Sequence, residues 1–428
     1  MYAVPEWVLL RLRSSLRTRR GSTYTAKQLA RAARTIIEDT RRQQETQAEY
    51  SGWKRVLDGA GGARGSLAAA HALMRGPPTF AAAASALRRA LDADDGPPAR
   101  DDPGEGYEDE DRGGSGDDEV TVSVLDYGAG CGSASLAAME VLANASQEGR
   151  ARPRFRVDCV EPSDALRGAG RAILPEAFWG KSLGSLRRAE YDVALCTFAL
   201  GELGTRRERS GAVRRLWSRL RPGGVLLCLE AGTPSGSGLV TSVREDVLPS
   251  GEARVLAPCA HALACPMASR EEEEEGVGGP RRAREWCHFA QAYAVGPREE
   301  AFGAATHWAS YGGARSPRLK ASRPGGRGAF VEKFAYLALQ KKRGAGDDDR
   351  GEGRSVLGHL LGNLGEGGEE GGGERVGRVV GTPRRRGRHV VFRVCDSRGR
   401  LDRHVLTKSH PAYAERKAAK WGDLLEIM

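Results

Sequence analysis

Residues 125–132 read Leu-Asp-Tyr-Gly-Ala-Gly-Cys-Gly and join an apolar segment to a helical pattern that begins at Ser133. Glycine has no Cβ, so its backbone approaches a ligand closely and adopts positive φ angles without strain. A glycine-rich turn from a strand into a helix is where an open parallel sheet binds a cofactor. The turn therefore predicts a cofactor site that includes Gly128, Gly130 and Gly132.

The region around this turn has the pattern of a parallel sheet. Short apolar segments alternate with helical patterns from Val120 to Ala231, which is typical of strands joined by crossover helices. The segments are apolar on both sides, as strands covered on both faces require. The predicted strands are Val122–Tyr127, Phe155–Val160, Asp192–Phe198 and Val225–Leu229, with a further strand at Phe334–Leu339.

Two carboxylates belong to the same predicted site. Asp126 precedes the first glycine, and Glu161 follows the second strand, where a carboxylate would accept two hydrogen bonds from a ribose diol. The glycine spacing is not the one that cradles a pyrophosphate, which disfavours a dinucleotide-binding dehydrogenase. Together with the Pro-Gly-Gly turn at 222–224, these residues resemble the class I S-adenosylmethionine-dependent methyltransferase fold, an α/β Rossmann-like fold.

Residues for the methyl transfer itself are less evident. The strand that starts near Asp192 is followed by Thr197–Leu203, which lacks the Asn/Asp-Pro-Pro-aromatic tetrad of many amine methyltransferases. No Pro-Cys pair provides a nucleophile there, and Cys196 is predicted to lie in the core. Glu202 is the one obvious polar candidate, and a helix-capping role suits it equally. The catalytic residues stay unknown, and cofactor binding is better supported than methyl transfer.

Composition divides the chain into segments of different character. Glycine and acidic residues dominate three stretches that are predicted to be disordered inserts. The predicted segments are a helical region at 1–92, an acidic insert at 93–119, a methyltransferase-like domain at 120–342 with an insert at 270–285, a linker at 343–374 and a basic β-rich module at 375–428.

Each end of the chain has its own local pattern. The first segment predicts a helix capped by Thr25, a second near Trp53 and a third at Phe80–Leu91. Its early arginines have the composition of a mitochondrial transit peptide, and a basic helix of the mature fold is the alternative. The last segment predicts strands at Val376–Val380, His389–Cys395 and Leu401–Thr407 and a helix at Tyr413–Trp421.

The overall charge limits the classes of partner. The chain has 428 residues and a formal net charge of +10, which suggests a polyanionic partner. No uninterrupted apolar run approaches the ~18 residues that cross a bilayer, so no membrane span is expected. Eight cysteines at irregular spacing, without a secretory signal, argue against a disulfide scaffold.

The cysteines fall into two groups. Four lie in or beside predicted strands and are expected to pack as small apolar residues; these are Cys131, Cys159, Cys196 and Cys228. Four others lie in loops or in the last segment; these are Cys259, Cys265, Cys287 and Cys395. Thiolates that lie close together repel one another unless a cation accepts their charge, which suggests a metal site. Unrelated reduced cysteines, or zinc bound with help from His261 or His288, stay open, since spacing does not choose the metal.

Several segments in one order, from about residue 65 to 428, resemble the family of methyltransferase-like protein seventeen and its fungal relatives. The segments are Ala72–Ala82, Glu230–Gly236, Pro258–Pro266, Trp286–Gln291, Lys333–Leu337, Thr407–His410 and Lys420–Leu424. Members of this family assemble the mitochondrial small ribosomal subunit. The resemblance implies that the chain works in the mitochondrial matrix.

The resemblance also implies specific ligands. It implies a [4Fe–4S] cluster held by Cys259, Cys265, Cys287 and Cys395, and binding of S-adenosylmethionine through Asp126, the three glycines and Glu161. The implied partner is the small ribosomal subunit with its RNA, and neither DNA nor membrane is expected. Arginines between Arg384 and Arg403 are predicted to contact phosphates, and Tyr413 or Trp421 to stack on bases. A working ribosomal RNA methyltransferase is the alternative.

Overall fold

The computed structural model describes residues 2–16, 23–45, 63–92, 120–145, 153–268, 286–295, 329–343, 357 and 375–427. The predicted helix near Trp53, the acidic insert at 93–119, the insert at 270–285 and nearly all of the linker lie outside these residues. The segment boundaries predicted from composition therefore stay predictions.

One large sheet forms the centre of the molecule. Its strands are β1 (Tyr2–Ala3), β2 (Thr121–Tyr127), β3 (Arg154–Val160), β4 (Phe178–Gly180), β5 (Tyr191–Thr197), β6 (Leu220–Ala231), β7 (Ala253–Ala257), β8 (Phe289–Ala294) and β9 (Ala329–Lys341). The order is β1-β8-β9-β6-β5-β2-β3-β4, and β7 pairs with β9. Strands β2 to β6 are parallel, and β9 runs antiparallel to β6, β7 and β8. The order reverses between β2 and β5, which is where such sheets bind cofactors.

This topology confirms the predicted class I methyltransferase fold. All five predicted strands are present within a few residues of their predicted ends. The sequence analysis missed β1, β4, β7 and β8, which are short or lie beyond the regular alternation of strand and helix. Strand β6 already begins at Leu220, so the predicted Pro-Gly-Gly turn lies within it, at an irregular pairing with β5.

Helices cover both faces of the sheet. They are α1 (Glu6–Ser14), α2 (Ala26–Glu45), α3 (Arg64–Asp92), α4 (Ser133–Ala145), α5 (Asp164–Ile173), α6 (Arg206–Ser218) and α7 (Pro234–Val247). Alternation along β6 divides its side chains between two cores, with Leu227 and Leu229 in one and Leu226 in the other. Helices α1 to α5 contribute to the first core, and α6 and α7 to the second.

The helical prediction for the first segment is largely confirmed. Thr25 caps α2, since the Gln28 amide donates to its hydroxyl at 3.2 Å and the Gln28 side chain accepts from the Thr25 amide at 2.8 Å. Helix α3 is much longer than the predicted Phe80–Leu91, because it continues through Pro77 and Pro78. A proline pair normally ends a helix. Here the surrounding residues are buried nearly all round, so packing keeps the helix continuous.

A smaller antiparallel sheet forms the end of the chain. It contains β10 (Arg375–Val379), β11 (Arg384–Arg386), β12 (His389–Asp396), β13 (Leu401–Thr407) and β14 (Leu424–Ile427), with the short helix α8 (Tyr413–Arg416). Its core is Val379, Val390, Phe392, Val394, Leu406 and Leu425. The three predicted strands are confirmed. The helix predicted at Tyr413–Trp421 ends early, because Trp421 turns to pack against the core of the larger sheet.

No helix in the described part of the chain is long and apolar enough to cross a membrane.

Candidate cofactor cleft and cysteine cluster

The glycine loop joins β2 to α4 with three positive φ angles, +68° at Gly128, +54° at Gly130 and +85° at Gly132. A Cβ at Gly128 would lie 2.3 Å from the Cβ of Ala199, so that position needs glycine for packing as well as for its φ angle. A Cβ at Gly130 would meet nothing within 4 Å. The loop is therefore packed tightly at its start and open at its middle, where a ligand has room.

Glu161 lies at the end of β3 and lines the open side of this loop. Its Oε2 accepts a hydrogen bond from the Gly130 amide at 3.0 Å, and its Oε1 accepts one from the Ser163 amide at 2.8 Å. Burial raises the pKa of Glu161 to about 7, although these two amides favour the ionised form. Each oxygen keeps a lone pair, so the carboxylate is able to accept hydrogen bonds from a diol.

Asp126 lies beneath the loop rather than on the lining of the cleft. Its Oδ2 accepts hydrogen bonds from the Ser135 amide and hydroxyl at 3.2 and 2.7 Å, which ties β2 to the first turn of α4. Its Oδ1 is buried without a hydrogen-bond partner among the described residues. Burial raises the pKa of Asp126 to about 6.

One wall of the cleft comes from α3, which the sequence analysis did not assign to this site. His71, Arg75 and Thr79 of this helix line the cleft, whose volume is about 760 Å³ with the solvent at its mouth included. Arg75 bonds to Glu332 of β9 at 3.0 Å, and burial lowers the pKa of His71 to about 3, which keeps it neutral. The segment Ala72–Ala82 was one of those that carried the family resemblance. The resemblance therefore singled out this helix but did not show that it lines the cleft.

The opposite wall follows β5. Thr197, Phe198 and Glu202 line it, and Phe198 has a φ of +55°, a strained conformation for a residue with a side chain. Buried Glu230 accepts a hydrogen bond from the Leu200 amide at 2.8 Å, which holds the segment after β5 in place. Cys196 is fully buried in β5, which confirms that it belongs to the core.

The other four cysteines come from distant parts of the chain. Cys259 follows β7, Cys265 lies six residues later, Cys287 precedes β8 and Cys395 lies in β12. Burial raises the pKa of Cys287, and the charges of Cys259, Cys265 and Cys395 raise it further. Burial and the charges of Cys259 and Cys265 likewise raise the pKa of Cys395 to about 12. The structure therefore brings all four thiols within electrostatic reach of one another.

Within the described ranges, no group of three or more His, Cys, Asp or Glu side chains is arranged to hold a single metal ion. The two histidines that were considered as zinc ligands have other contacts. His288 stacks on Trp286 and meets Trp421 edge-on, with ring centroids 5.2 and 4.7 Å apart. His261 Nε2 lies 3.4 Å from the Cys395 sulfur.

Two buried arginines hold the loop that carries Cys259 and Cys265. Arg244 of α7 donates from Nε to the Leu263 carbonyl at 3.1 Å and from Nη2 to the His261 carbonyl at 2.7 Å. Arg378 of β10 donates from Nε to the Pro258 carbonyl at 2.7 Å, and in the small sheet it pairs in register with Cys395. One guanidinium thus belongs to the large sheet's unit and the other to the small sheet, and both point at one loop.

The small sheet presents a basic outer face. Val390, Phe392 and Val394 point into its core, so the alternate residues of β12 point outward. The residues on this outer face include Arg384, Arg386, His389, Arg393 and Arg403. Trp421 is partly buried beside His288, and Tyr413 packs on the sheet's own core. Stacking of either ring on a base stays a prediction.

Residues 117–426 match the sequence profile of the family described as mitochondrial small ribosomal subunit Rsm22. The chain belongs to the Rsm22 family. The matched range includes the glycine loop, Glu161, all four clustered cysteines and the small sheet.

Relatives within the Rsm22 family have mitochondrial names. The human mitochondrial ribosome assembly protein METTL17 is 23% identical over 320 residues, which cover 72% of this chain and 56% of the human protein. Two Rsm22-cox11 tandem proteins of Schizosaccharomyces pombe are 27% identical over 262 residues, which cover 56% of this chain and 30% of theirs. The chain thus spans about half the length of the human relative and less than a third of the yeast ones. The predicted family and mitochondrial location are confirmed.

Solved structures similar to this Rsm22 family member include several methyltransferases. A putative RNA methyltransferase of Pyrococcus horikoshii is 11% identical, with a TM-score of 0.27, and covers 53% of this chain and 76% of its own. The S-adenosylmethionine-bound amino pentose methyltransferase CalS10 of Micromonospora echinaspora is 22% identical, with a TM-score of 0.24, and covers 36% of this chain and 52% of its own. At such low scores the fold assignment rests on the strand order itself.

Proposed function

We propose that this Rsm22 family member assembles the mitochondrial small ribosomal subunit, and that it binds S-adenosylmethionine, a [4Fe–4S] cluster and ribosomal RNA. The observation that carries the proposal is that the loop with Cys259 and Cys265 meets the small sheet, where His261 Nε2 lies 3.4 Å from the Cys395 sulfur and Arg378 donates to the Pro258 carbonyl. A relative named as a ribosome assembly protein supports the assembly role.

The cleft at the glycine loop fits S-adenosylmethionine. Gly130 leaves open space above the loop, and Glu161 offers two oxygens at the end of the neighbouring strand. No phosphate needs to be cradled, which agrees with the glycine spacing. When bound, this cofactor supplies an electrophilic methyl group on a sulfonium. Glu161 would hold the ribose. Arg75 and the neutral imidazole of His71 would line the side of the cleft formed by α3.

The family resemblance implies that the four cysteines hold a multinuclear centre rather than a single ion. A tetrahedral zinc ion draws its sulfur ligands to about 2.3 Å from one point. A cluster instead gives each cysteine its own iron, so its sulfurs stay further apart. Burial and the charges of Cys259, Cys265 and Cys395 raise the pKa of Cys287, which supports a site shared by the four thiols. Buried Arg244 and Arg378 supply positive charge that balances thiolates in a site of low dielectric constant. The cluster would join the small sheet to the large one.

The basic face of the small sheet suits an RNA backbone. Arg393 and Arg403 are directly opposite each other on neighbouring antiparallel strands. Guanidinium groups bind phosphate oxygens in pairs. Since Cys395 lies two residues after Arg393 on the same strand, the cluster and the RNA surface share one rigid element.

Methyl transfer to ribosomal RNA is the second candidate. The cleft opens between Glu202 and Thr197 on one side and His71 on the other, so polar groups surround the place where an acceptor would enter. The absent tetrad after β5 argues against this activity, and no catalytic residue is assigned.

Association with immature small ribosomal subunits in mitochondria tests the proposed function. The wild-type chain should co-sediment with those particles and crosslink to their RNA. Cys259→Ser should lose both iron and particle association, whereas Cys196→Ala, which changes a core cysteine, should keep both. Unchanged association of the iron-free Cys259→Ser protein would contradict the proposal. Transfer of a tritiated methyl group to the RNA, abolished by Glu161→Gln, would instead favour the enzyme.

A further inference from the structure

Arg75 of α3 is the one positively charged side chain on the lining of the cofactor cleft within the described part of the chain. His71, one turn earlier on the same helix, is neutral because burial and the charge of Arg75 lower its pKa to about 3. The other charged side chains of the lining are the carboxylates of Glu161 and Glu202. The cleft therefore offers a single cationic group to a ligand.

Two contacts fix the position of the Arg75 guanidinium. Its Nη2 donates a hydrogen bond to Oε1 of Glu332 in β9 at 3.0 Å, and Glu332 is only 7% exposed. The guanidinium carbon lies 5.2 Å from the centroid of the Phe198 ring. Helix α3 comes close to the glycine loop here, since a Cβ at Gly76 would lie 3.3 Å from the Ser133 hydroxyl. The guanidinium is therefore held over the residue that follows β5, at the edge of the sheet where the cleft opens.

Glu161 and Arg75 place opposite charges at different positions along this edge. Glu161 follows β3 and Phe198 follows β5, and the sheet order puts β2 with its glycine loop between them. Neighbouring strands are about 4.8 Å apart, so the two positions are separated by roughly 10 Å. In S-adenosylmethionine the diol and the carboxylate are also separated, because the aminoacyl chain extends from the 5′ carbon of the ribose. With the ribose at Glu161, the carboxylate of the ligand finds its cation at Arg75.

We propose that Arg75 binds the carboxylate at the aminoacyl end of S-adenosylmethionine, and that Glu332 and Phe198 hold the guanidinium in place for it. The inference rests on the proposed binding of this cofactor. A guanidinium presents five N–H donors in one plane, so it is able to bind two carboxylates at once. Arg75 then determines specificity, because a nucleoside ligand that lacks the carboxylate leaves the guanidinium without its second anion.

A pair of ligands isolates this contact. Decarboxylated S-adenosylmethionine keeps the adenosine, the sulfonium and the amine and lacks only the carboxylate. In calorimetry with full-length protein, wild type should prefer S-adenosylmethionine over this ligand by about tenfold or more, since the carboxylate accepts charge-assisted hydrogen bonds. Arg75→Gln should lose most of that preference and bind the decarboxylated ligand no more weakly than wild type does. Arg11→Gln, which breaks an ion pair with Glu176 outside the cleft lining, should match wild type.

A second variant removes the risk that Arg75→Gln fails to fold because it leaves the buried Glu332 carboxylate without its cation. The double variant Arg75→Gln/Glu332→Gln removes both charges and should lose the same preference. A wild-type preference in either variant, or equal weakening of both ligands by Arg75→Gln, would overturn the inference and leave cofactor binding intact. If wild type binds neither ligand, the proposed cofactor binding is contradicted and this inference is overturned with it.

Discussion

The cofactor cleft and the cysteine cluster are assembled in opposite ways. The cleft is built largely at the strand ends of one sheet, with Gly130 after β2 and Glu161 after the neighbouring strand β3. The cluster takes Cys259, Cys265 and Cys287 from the large unit and Cys395 from the small sheet. A local site persists whenever its sheet is folded. A site shared between two units contributes its binding free energy to their association, so its loss loosens one unit from the other.

The largest effect is expected from a variant that disrupts the cysteine site shared by the two units. Cys287→Ser should remove most of the iron and reduce RNA affinity about tenfold or more, because metal-binding free energy stabilises the joint between the two sheets. S-adenosylmethionine affinity should stay within about twofold of wild type, since Cys287 does not line the cleft. Iron analysis, RNA filter binding and calorimetry measure the three quantities. A comparable loss of cofactor affinity would show that the two sites are not independent.

The next largest effect is expected from a variant that disrupts the cofactor cleft. Glu161→Gln should weaken S-adenosylmethionine binding about tenfold or more, because a hydrogen bond to a charged group contributes roughly 1.5–3 kcal/mol. Iron content should not change. Glu140→Gln removes the same charge from α4, where Glu140 bonds to Asn144, and should leave the affinity unaltered. Equal affinities of the two variants, measured by calorimetry, would remove Glu161 from the cofactor site.

Substitutions on the basic face of the small sheet should have a smaller effect, and that effect should be limited to RNA binding. Replacing Arg393 and Arg403 together with Gln should weaken RNA binding at all sequences. It should also reduce the slope of log affinity against log salt by about one for each phosphate that the variant no longer binds. Arg206→Gln, which changes an exposed arginine of α6 paired with Asp246, is the matched control. An unchanged slope in the double variant would place the RNA on another surface.

Cofactor affinity should depend on pH in a defined direction. The ordinary pKa of Glu161 is 4.5, and burial raises it to about 7, so the carboxylate ionises as pH increases from 6 to 8. Only the ionised form accepts hydrogen bonds on both oxygens, so affinity should rise by up to about tenfold across this range. Titrations at several pH values measure it. If the affinity of Glu161→Gln for S-adenosylmethionine changes with pH as steeply as that of wild type, the pH dependence comes from another group.

The stability of the protein without cofactor should have the opposite pH dependence. Burial raises the pKa values of Asp126 and Glu161 to about 6 and 7, so the folded state binds more protons than the unfolded state at mildly acidic pH. The free energy of unfolding contributed by these groups therefore decreases as pH rises from about 4.5 to 7. Glu161→Gln should flatten this decrease. Denaturant unfolding of wild type and Glu161→Gln at several pH values measures this change. If the free energy of unfolding falls with pH equally in both proteins, Glu161 does not contribute to the decrease.

The contrast between the sites also explains what sequence reasoning was able to find. The glycine loop and Glu161 follow strands whose apolar patterns are local, so their meeting follows from the parallel sheet alone. The wall formed by His71 and Arg75 depends on where α3 packs, and no local pattern encodes that long-range contact. Within the small sheet, the sequence predicted β10, β12 and β13 and missed the short strands β11 and β14. The predicted helix was too long, and Trp421 instead packs against the core of the other unit.

The cysteines illustrate the same limit. Their spacing suggested a metal and did not select one, and the resemblance supplied the four-residue set. His261 was considered as a ligand because of its place between two cysteines. Its contacts with Arg244 and Cys395 form only in the folded chain, so no local pattern predicted them.

One measurement tests the central claim that a cluster shared by both units orders the RNA-binding surface. Anaerobically purified wild-type protein is divided in two, the cluster is removed from one half by chelation under oxidising conditions followed by reduction of the thiols, and the RNA affinity of both halves is measured. We predict about four irons per chain in the untreated half and at least tenfold weaker RNA binding after removal, restored when iron and sulfide are returned. Equal RNA affinity in the two halves would contradict the account.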